Sequence, residues 1–107
     1  MSTNYEGGRR AEYRVRNHMI DRGWLLLARA AGSRGPADLI MVHPDHGLAL
    51  VQVGGPKKAL GPDARERILS MAELASALPV LARVVPRVGI EYLLLHRDLT
   101  RWEAWAP

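Results

Sequence analysis

The chain contains no cysteine. That excludes disulfide staples and thiolate metal sites, and it suits a reducing compartment such as the cytoplasm. No apolar run approaches the roughly 20 residues that span a bilayer, so no membrane segment is expected. The first ten residues are polar and glycine-bearing, without the apolar stretch of a signal segment. No internal repeat or low-complexity tract interrupts the sequence. Lysine is scarce: Lys57 and Lys58 are the only two, so nearly all the positive charge is arginine. What is there is a chain of 107 residues, 48% of them hydrophobic. That is too apolar for a disordered segment and suits one domain over 1–107 with a single core.

The formal charge of +4 is unevenly placed. Up to Arg34 there are seven arginines (Arg9, Arg10, Arg14, Arg16, Arg22, Arg29, Arg34) against Glu6, Glu12 and Asp21, so this third carries the whole excess and the rest is neutral. Guanidinium forks match phosphate oxygens, so a polyanion such as nucleic acid is a reasonable partner, with a solvated arginine-rich surface as the alternative.

Apolar residues at Ala11, Val15 and Met19 predict a helix over Gly8 to Arg22, stopped by Gly23. Trp24 to Arg29 reads as a strand, and the run Ala30 to Pro36 as a loop. Asp38 to Val42 and Leu48 to Val53 read as strands joined by the turn His43 to Gly47. Pro62 opens a second helix whose apolar face is expected to hold Ile68, Met71, Ala72, Ala75 and Leu78. Val80 to Val85 and Ile90 to Leu95 read as two more strands, and Trp102 to Trp105 as a last edge strand or packed tail. The simplest architecture is α/β, a central mixed β-sheet flanked by helices.

Three polar positions stand out. Glu12 lies near Val15 and Met19 on the apolar side of the first helix, where a carboxylate needs a partner or a cation unless it reaches solvent at the edge. If Val42 opposes Leu48 across the turn, Ile40 opposes Leu50 and Asp38 opposes Gln52. Strand side chains alternate with period two, so Asp38 and Gln52 would share a face with Cβ atoms about 5 Å apart. Polar capping of strand ends is the plainer reading. Two acids and an amide oxygen would form an oxygen-rich pocket suited to a hard cation such as Mg²⁺, which activates water and offsets charge on a phosphate. Residue 54, one pleat beyond Gln52, is where a lysine would reach such a phosphate, but it is Gly54. The loop before Asp38 offers further donors in Arg29, Ser33 and Arg34. His18, His43, His46 and His96 are scattered and make no metal site. Trp102 and Trp105 read as core or dimer packing, with base stacking as the alternative.

The runs Gly8-Arg9-Arg10-Ala11-Glu12-Tyr13-Arg14, Gly23-Trp24, Arg29-Ala30-Ala31-Gly32-Ser33, Pro36-Ala37-Asp38-Leu39-Ile40 and Val51-Gln52-Val53 resemble the archaeal-type Holliday junction resolvases, within the PD-(D/E)XK nuclease superfamily. The resemblance covers about the first half of the chain. It implies a restriction-endonuclease-like core, a Mg²⁺-dependent endodeoxyribonuclease (Mn²⁺ as a substitute ion) acting on four-way junction DNA, and a homodimer. By position, Glu12 matches the helix carboxylate, Asp38 the central metal-binding aspartate and Ser33 the loop serine near the phosphate. Gln52 stands where the family often has glutamate, so the implied metal ligands are Glu12, Asp38 and Gln52. The family's catalytic lysine falls at Gly54. The expected DNA contacts are Arg9, Arg10, Arg29, Ser33, Arg34, Lys57 and Lys58. Two functions follow: a junction-resolving nuclease impaired at Gly54, or a structure-selective DNA-binding protein that does not cleave. A nuclease of this fold with another DNA substrate is a third. Lys57 and Lys58 are the only lysines able to replace the missing cation, and only if Gly54-Gly55-Pro56 turns sharply.

Overall fold

A helix, three strands, a second helix and three strands follow one another in a computed structural model that describes residues 3–29, 37–97 and 102–107, with side chains from Arg9 onward. They are α1 (Thr3–Ile20), β1 (Leu25–Arg29), β2 (Leu39–His43), β3 (Gly47–Gly54), α2 (Pro62–Ala75), β4 (Leu78–Val85), β5 (Gly89–Leu94) and β6 (Glu103–Ala104). Among the described residues the six strands form one sheet in chain order. Every neighbouring pair is antiparallel except β3 and β4, which run parallel and are joined through α2. The sheet is therefore mixed, as the sequence predicts. The short β6 pairs with β5, which makes the Trp102–Trp105 segment an edge strand.

Local chemistry sets the ends of these elements. Gly23, at φ +94°, closes α1. Its N–H donates to the Ile20 carbonyl at 3.0 Å and the Trp24 N–H donates to the Met19 carbonyl at 3.1 Å. This is the glycine-terminated cap in which the residue after the glycine packs back on the last turn, and Met19 and Trp24 are both wholly buried. Pro62 starts α2, where its missing N–H has no helical partner to lose. The hairpin between β2 and β3 has the register that the sequence predicts, Ile40 opposite Leu50 and Val42 opposite Leu48.

The two helices cover opposite faces of the sheet. Val15 and Met19 of α1 pack with Trp24, Leu39, Met41, Ala49, Val51, Val53, Val80, Ala82 and Tyr92. Ile68, Leu69 and Ala72 of α2 pack with Ala37, Leu50 and Leu95. Here the expected face of α2 is rotated: Leu69 goes inside, Met71 is exposed, Ala75 is exposed and Leu78 belongs to β4. The positions 68, 69 and 72 make as good a helical stripe as 68, 71 and 75, and contact with Leu50 and Leu95 decides between them. Arg97 fastens the end of β5 to α2 through Glu66 at 2.8 Å and Glu73 at 2.6 Å. Trp102 and Trp105 pack against the α2-side and α1-side clusters respectively.

Candidate functional site

The sequence-predicted residues that the structure describes gather at one end of the sheet, where β1 and β3 finish and β2 begins. Ser33 and Arg34 lie outside the described residues.

Asp38 sits in a bend just before β2, one step beyond the pair Leu39–Val51 with which the β2–β3 register ends. Its backbone N–H donates to the Val51 carbonyl at 2.9 Å. Its carboxylate does not stand straight out of the sheet. Oδ2 accepts the Val53 N–H at 2.8 Å and so continues the ladder where the β2 backbone departs. Burial holds the Asp38 pKa above the usual carboxylate value; the Val53 N–H and the positive charges of Lys58 and Arg29 oppose that shift without cancelling it. Gln52 alternates with Val51 and Val53, which face α1, and therefore shares the α2 side with Leu50 and Gly54.

Glu12 belongs to α1, on the other face of the sheet from Gln52, so it approaches from beyond the end of β1. There its Oε1 accepts from Arg29 Nε at 3.1 Å. Arg29 is thus the cation that Glu12 holds, and the same arginine is close enough to act on the charge of Asp38. Arg29 also lies over the Tyr13 ring, 5.6 Å from its centroid, and Arg9 and Arg16 flank that ring at 6.0 and 4.6 Å. With Arg10 and Arg14 exposed on α1, this makes a basic face next to the acids.

Gly54 is not open space. A Cβ built on it would meet Lys58 at 2.3 Å from Cγ, 2.4 Å from Cβ and 2.7 Å from Cδ. The Lys58 N–H donates to the Gly55 carbonyl at 3.0 Å, so the chain turns sharply after β3 and brings Lys58 back over Gly54. Lys57 is exposed, whereas Lys58 is half-buried. Arg83, opposite Gly54 in the parallel β3–β4 register, donates from Nε to the Lys58 carbonyl at 2.8 Å and pairs with Glu91 at 3.1 Å. The sequence gives no sign of Arg83's place, because a parallel neighbour is set by a crossover and not by a local turn.

Among the described residues no three His, Cys, Asp or Glu side chains gather as a metal site. The oxygen donors at the sheet end are the free oxygen of Asp38 and the Gln52 amide, with the Glu12 carboxylate engaged by Arg29. One carboxylate with an amide oxygen fits a Mg²⁺ ion that keeps most of its waters and takes phosphate oxygens as further ligands. A half-buried carboxylate whose charged form is disfavoured by desolvation gains by such a cation. The histidines lie elsewhere: His43 and His46 have ring centroids 4.6 Å apart beside Trp24, and His18 Nδ1 meets the Tyr92 hydroxyl at 2.8 Å. Among the described residues, no helix is long and apolar enough to cross a membrane.

No protein-family model matches the chain, and no curated protein matches it in sequence. Among solved structures its fold is similar to that of Hjc, a Holliday junction resolvase from the archaeal hyperthermophile Archaeoglobus fulgidus. The TM-score is 0.69 at 20% sequence identity, over 80% of this chain and 70% of that one. The mixed sheet and its two helices are thus the α/β fold of an archaeal resolvase.

Proposed function

We infer that the chain is a structure-selective DNA endonuclease that resolves four-way junctions by Mg²⁺-dependent phosphodiester hydrolysis. The observation that carries this reading is the shared fold with a junction resolvase, with Asp38 and Gln52 at the sheet end. Asp38 and Gln52 are the residues that would hold the metal, Glu12 joining them where it exchanges Arg29 for the ion, and a bound Mg²⁺ would supply Lewis-acid charge at the phosphate and a more acidic water. In the reaction a water oxygen bonds to phosphorus, one ester P–O bond breaks, the leaving sugar oxygen takes up a proton and the new phosphate monoester gives one up. The Val53 N–H orients the Asp38 carboxylate, and Arg29 holds Glu12 at the mouth of the site. The direct test is a synthetic four-way junction beside linear duplex of the same sequence, with Mg²⁺ or Mn²⁺. Junction-selective cutting is expected, and equal cutting of the linear duplex rules out structure selectivity.

A second reading, a DNA-binding protein of this fold that does not cleave, is favoured by the missing side chain at Gly54 and by Arg29's hold on Glu12. Binding with no cleavage in either metal selects it.

Both readings expect the arginine face of α1 to meet phosphates. Each neutralised phosphate releases counterions, giving a slope of about −0.9 per contact in log affinity against log salt on duplex DNA. Replacing Arg9 and Arg10 with alanine is expected to weaken binding and flatten the slope by about 1–2. An unchanged affinity and slope, measured by fluorescence anisotropy, assigns those arginines to an ordinary solvated surface.

Paired cutting of a two-fold symmetric junction needs two equivalent sites, so a homodimer belongs to the nuclease reading. The sequence points to the C-terminal half and to Trp102 or Trp105 for the contact, but those tryptophans are packed within the chain. Among the described residues the exposed apolar side chains include Leu25 and Leu27 on the edge strand β1 and, within the C-terminal half, Met71 and Leu74 on α2 and Val88 in the β4–β5 turn, with Leu74 85% exposed. A two-fold dimer is expected in sedimentation at micromolar concentration, and Leu74→Arg is expected to shift it toward monomer. A monomer with and without junction DNA removes the basis for paired cutting.

A further inference from the structure

We propose that Lys58 supplies the catalytic cation of this site from the loop after β3, and that residue 54 is glycine because the Lys58 stem occupies its place. This rests on the nuclease reading above.

The argument begins with what the site lacks. Hydrolysis of a phosphodiester concentrates negative charge on phosphorus oxygens, and a fixed cation beside them is worth most where water is partly excluded. On β3 the natural position for it is 54, one pleat beyond Gln52 on the same face, and no side chain leaves the backbone there. Three features of the structure fill that gap with one residue. The turn closed by the Lys58 N–H and the Gly55 carbonyl doubles the chain back. The Lys58 Cβ, Cγ and Cδ then lie 2.3 to 2.7 Å from where a residue-54 Cβ would stand, so the two stems are mutually exclusive. The Lys58 ammonium is near enough to Asp38 to act on its charge. Contacts below 3.0 Å with the root of a side chain cannot be relieved by moving its tip, so any larger residue at 54 has to displace the loop.

The loop is held. Arg83, level with Gly54 on β4, binds the Lys58 carbonyl through Nε and is itself braced by Glu91. A surface lysine has no need of such an anchor. Four methylenes carry charge to the phosphate equally well from either root, and the half-buried stem limits the rotamers lost on binding. The lysine function is thus kept in space while its sequence position moves by four residues. In the hydrolysis already written, Lys58 donates hydrogen bonds to a non-bridging phosphate oxygen and remains protonated throughout.

The test compares the parent chain with Lys58→Ala, Lys58→Met, Gly54→Lys and the swap Gly54→Lys/Lys58→Gly, which removes the Cβ that position 54 would meet, on a synthetic four-way junction with Mg²⁺. Single-turnover rates are read beside junction affinity in Ca²⁺ and thermal melting. Lys58→Ala and Lys58→Met are expected to lose about 10²–10³ in rate with affinity changed far less. Lys58→Met retains the stem and is expected to melt like the parent. Gly54→Lys alone is expected to melt lower and to gain nothing, whereas the swap recovers most of the lost rate. Recovery on moving the lysine is a result that a merely structural role for Lys58 does not give. The proposal is overturned if both Lys58 variants cut at the parental rate, if Lys57→Ala and not Lys58→Ala abolishes cutting, or if Gly54→Lys alone raises the rate strongly. In each of those cases the nuclease reading survives. If the parent and the swap both bind the junction and cut nothing in Mg²⁺ or Mn²⁺, the nuclease reading itself falls, and the role of Lys58 with it.

Discussion

Asp38→Asn is expected to abolish cleavage while making the metal-free protein more stable at neutral pH. The two effects have one cause. Burial raises the Asp38 pKa from its ordinary value of 3.8, and the favourable contributions of the Val53 N–H, Lys58 and Arg29 do not outweigh it. A carboxyl whose folded pKa lies above its unfolded value binds its proton more tightly when folded. Its contribution to stability is complete below pH 3.8, is lost as the pH rises through the raised folded value, and is absent at neutral pH, where the ionised group is a burden on the fold. Asparagine removes that burden and keeps an oxygen for the Val53 N–H. The melting temperature of Asp38→Asn in EDTA is therefore expected to exceed the parent's at pH 7, and the gap to close as the pH falls toward 4.

The same substitution takes away the one carboxylate whose free oxygen is available to a hard cation. Charge on a metal-bound phosphate is worth several kcal/mol, and each 1.36 kcal/mol is tenfold in rate, so a loss of at least about 10²-fold is expected. Titrating Mg²⁺ or Mn²⁺ into the parent is expected to raise its melting temperature by mass action on the folded state and to leave that of Asp38→Asn unmoved. Junction affinity, which the proposed reading assigns to the arginine face of α1, is expected to hold or to improve when the negative charge is removed. A variant that cuts at the parental rate would remove Asp38 from the chemistry. One that melts below the parent in EDTA at pH 7 would show that its ionised form is a stabilising partner after all.

Which parts of this arrangement were legible in the sequence follows from how local each one is. The β2–β3 register is set by period-two alternation and by the turn His43 to Gly47, all within sixteen residues, and the structure has it as read. The close of α1 is equally local, since Gly23 needs only the residues on either side of it. The buried face of α2 is not: Leu69 and Met71 flank Ile68 and Ala72 on opposite sides of the helix, and contact with Leu50 and Leu95 decides which of them goes inside. Arg83 beside Gly54 depends on the parallel β3–β4 pairing across α2, and Arg29 on Glu12 joins β1 to α1. Both are tertiary facts without a sequence period. Lys58 lies between these cases. The glycines at 54 and 55 and Pro56 permit a sharp turn, but its direction is fixed by the Arg83 anchor, which the sequence does not announce. Trp24 to Arg29 reads as a short apolar strand and nothing in the run tells its place in the sheet, yet Leu25 is 62% and Leu27 61% exposed, because β1 lies at the sheet's edge.

The largest loss of stability is expected from Trp24→Ala. Trp24 is wholly buried and closes the α1 side of the core, with the Trp105 ring edge-on at 5.8 Å and the His46 ring stacked at 5.7 Å. Removing a buried tryptophan costs about 3–5 kcal/mol in lost transfer energy and unfilled cavity. A domain of this size has roughly 5–15 kcal/mol in all, so the variant is expected to be partly unfolded near 37 °C. The damage also reaches the site, because Trp24 is the residue on which the last turn of α1 folds back, and α1 carries Glu12 and the arginine face. Trp24→Phe separates ring from cavity. Among the described residues nothing accepts a hydrogen bond from the buried Trp24 Nε1, so phenylalanine loses volume but leaves no donor unpaired. It is expected to cost less than half as much as alanine in urea denaturation, and to keep junction binding at 25 °C. If alanine and phenylalanine cost the same, the unfilled volume is not what governs the loss. If alanine melts within a degree or two of the parent, α1 is held by its ion pairs and not by this packing, and Glu12→Ala, removing the Arg29 contact, becomes the variant that detaches the helix.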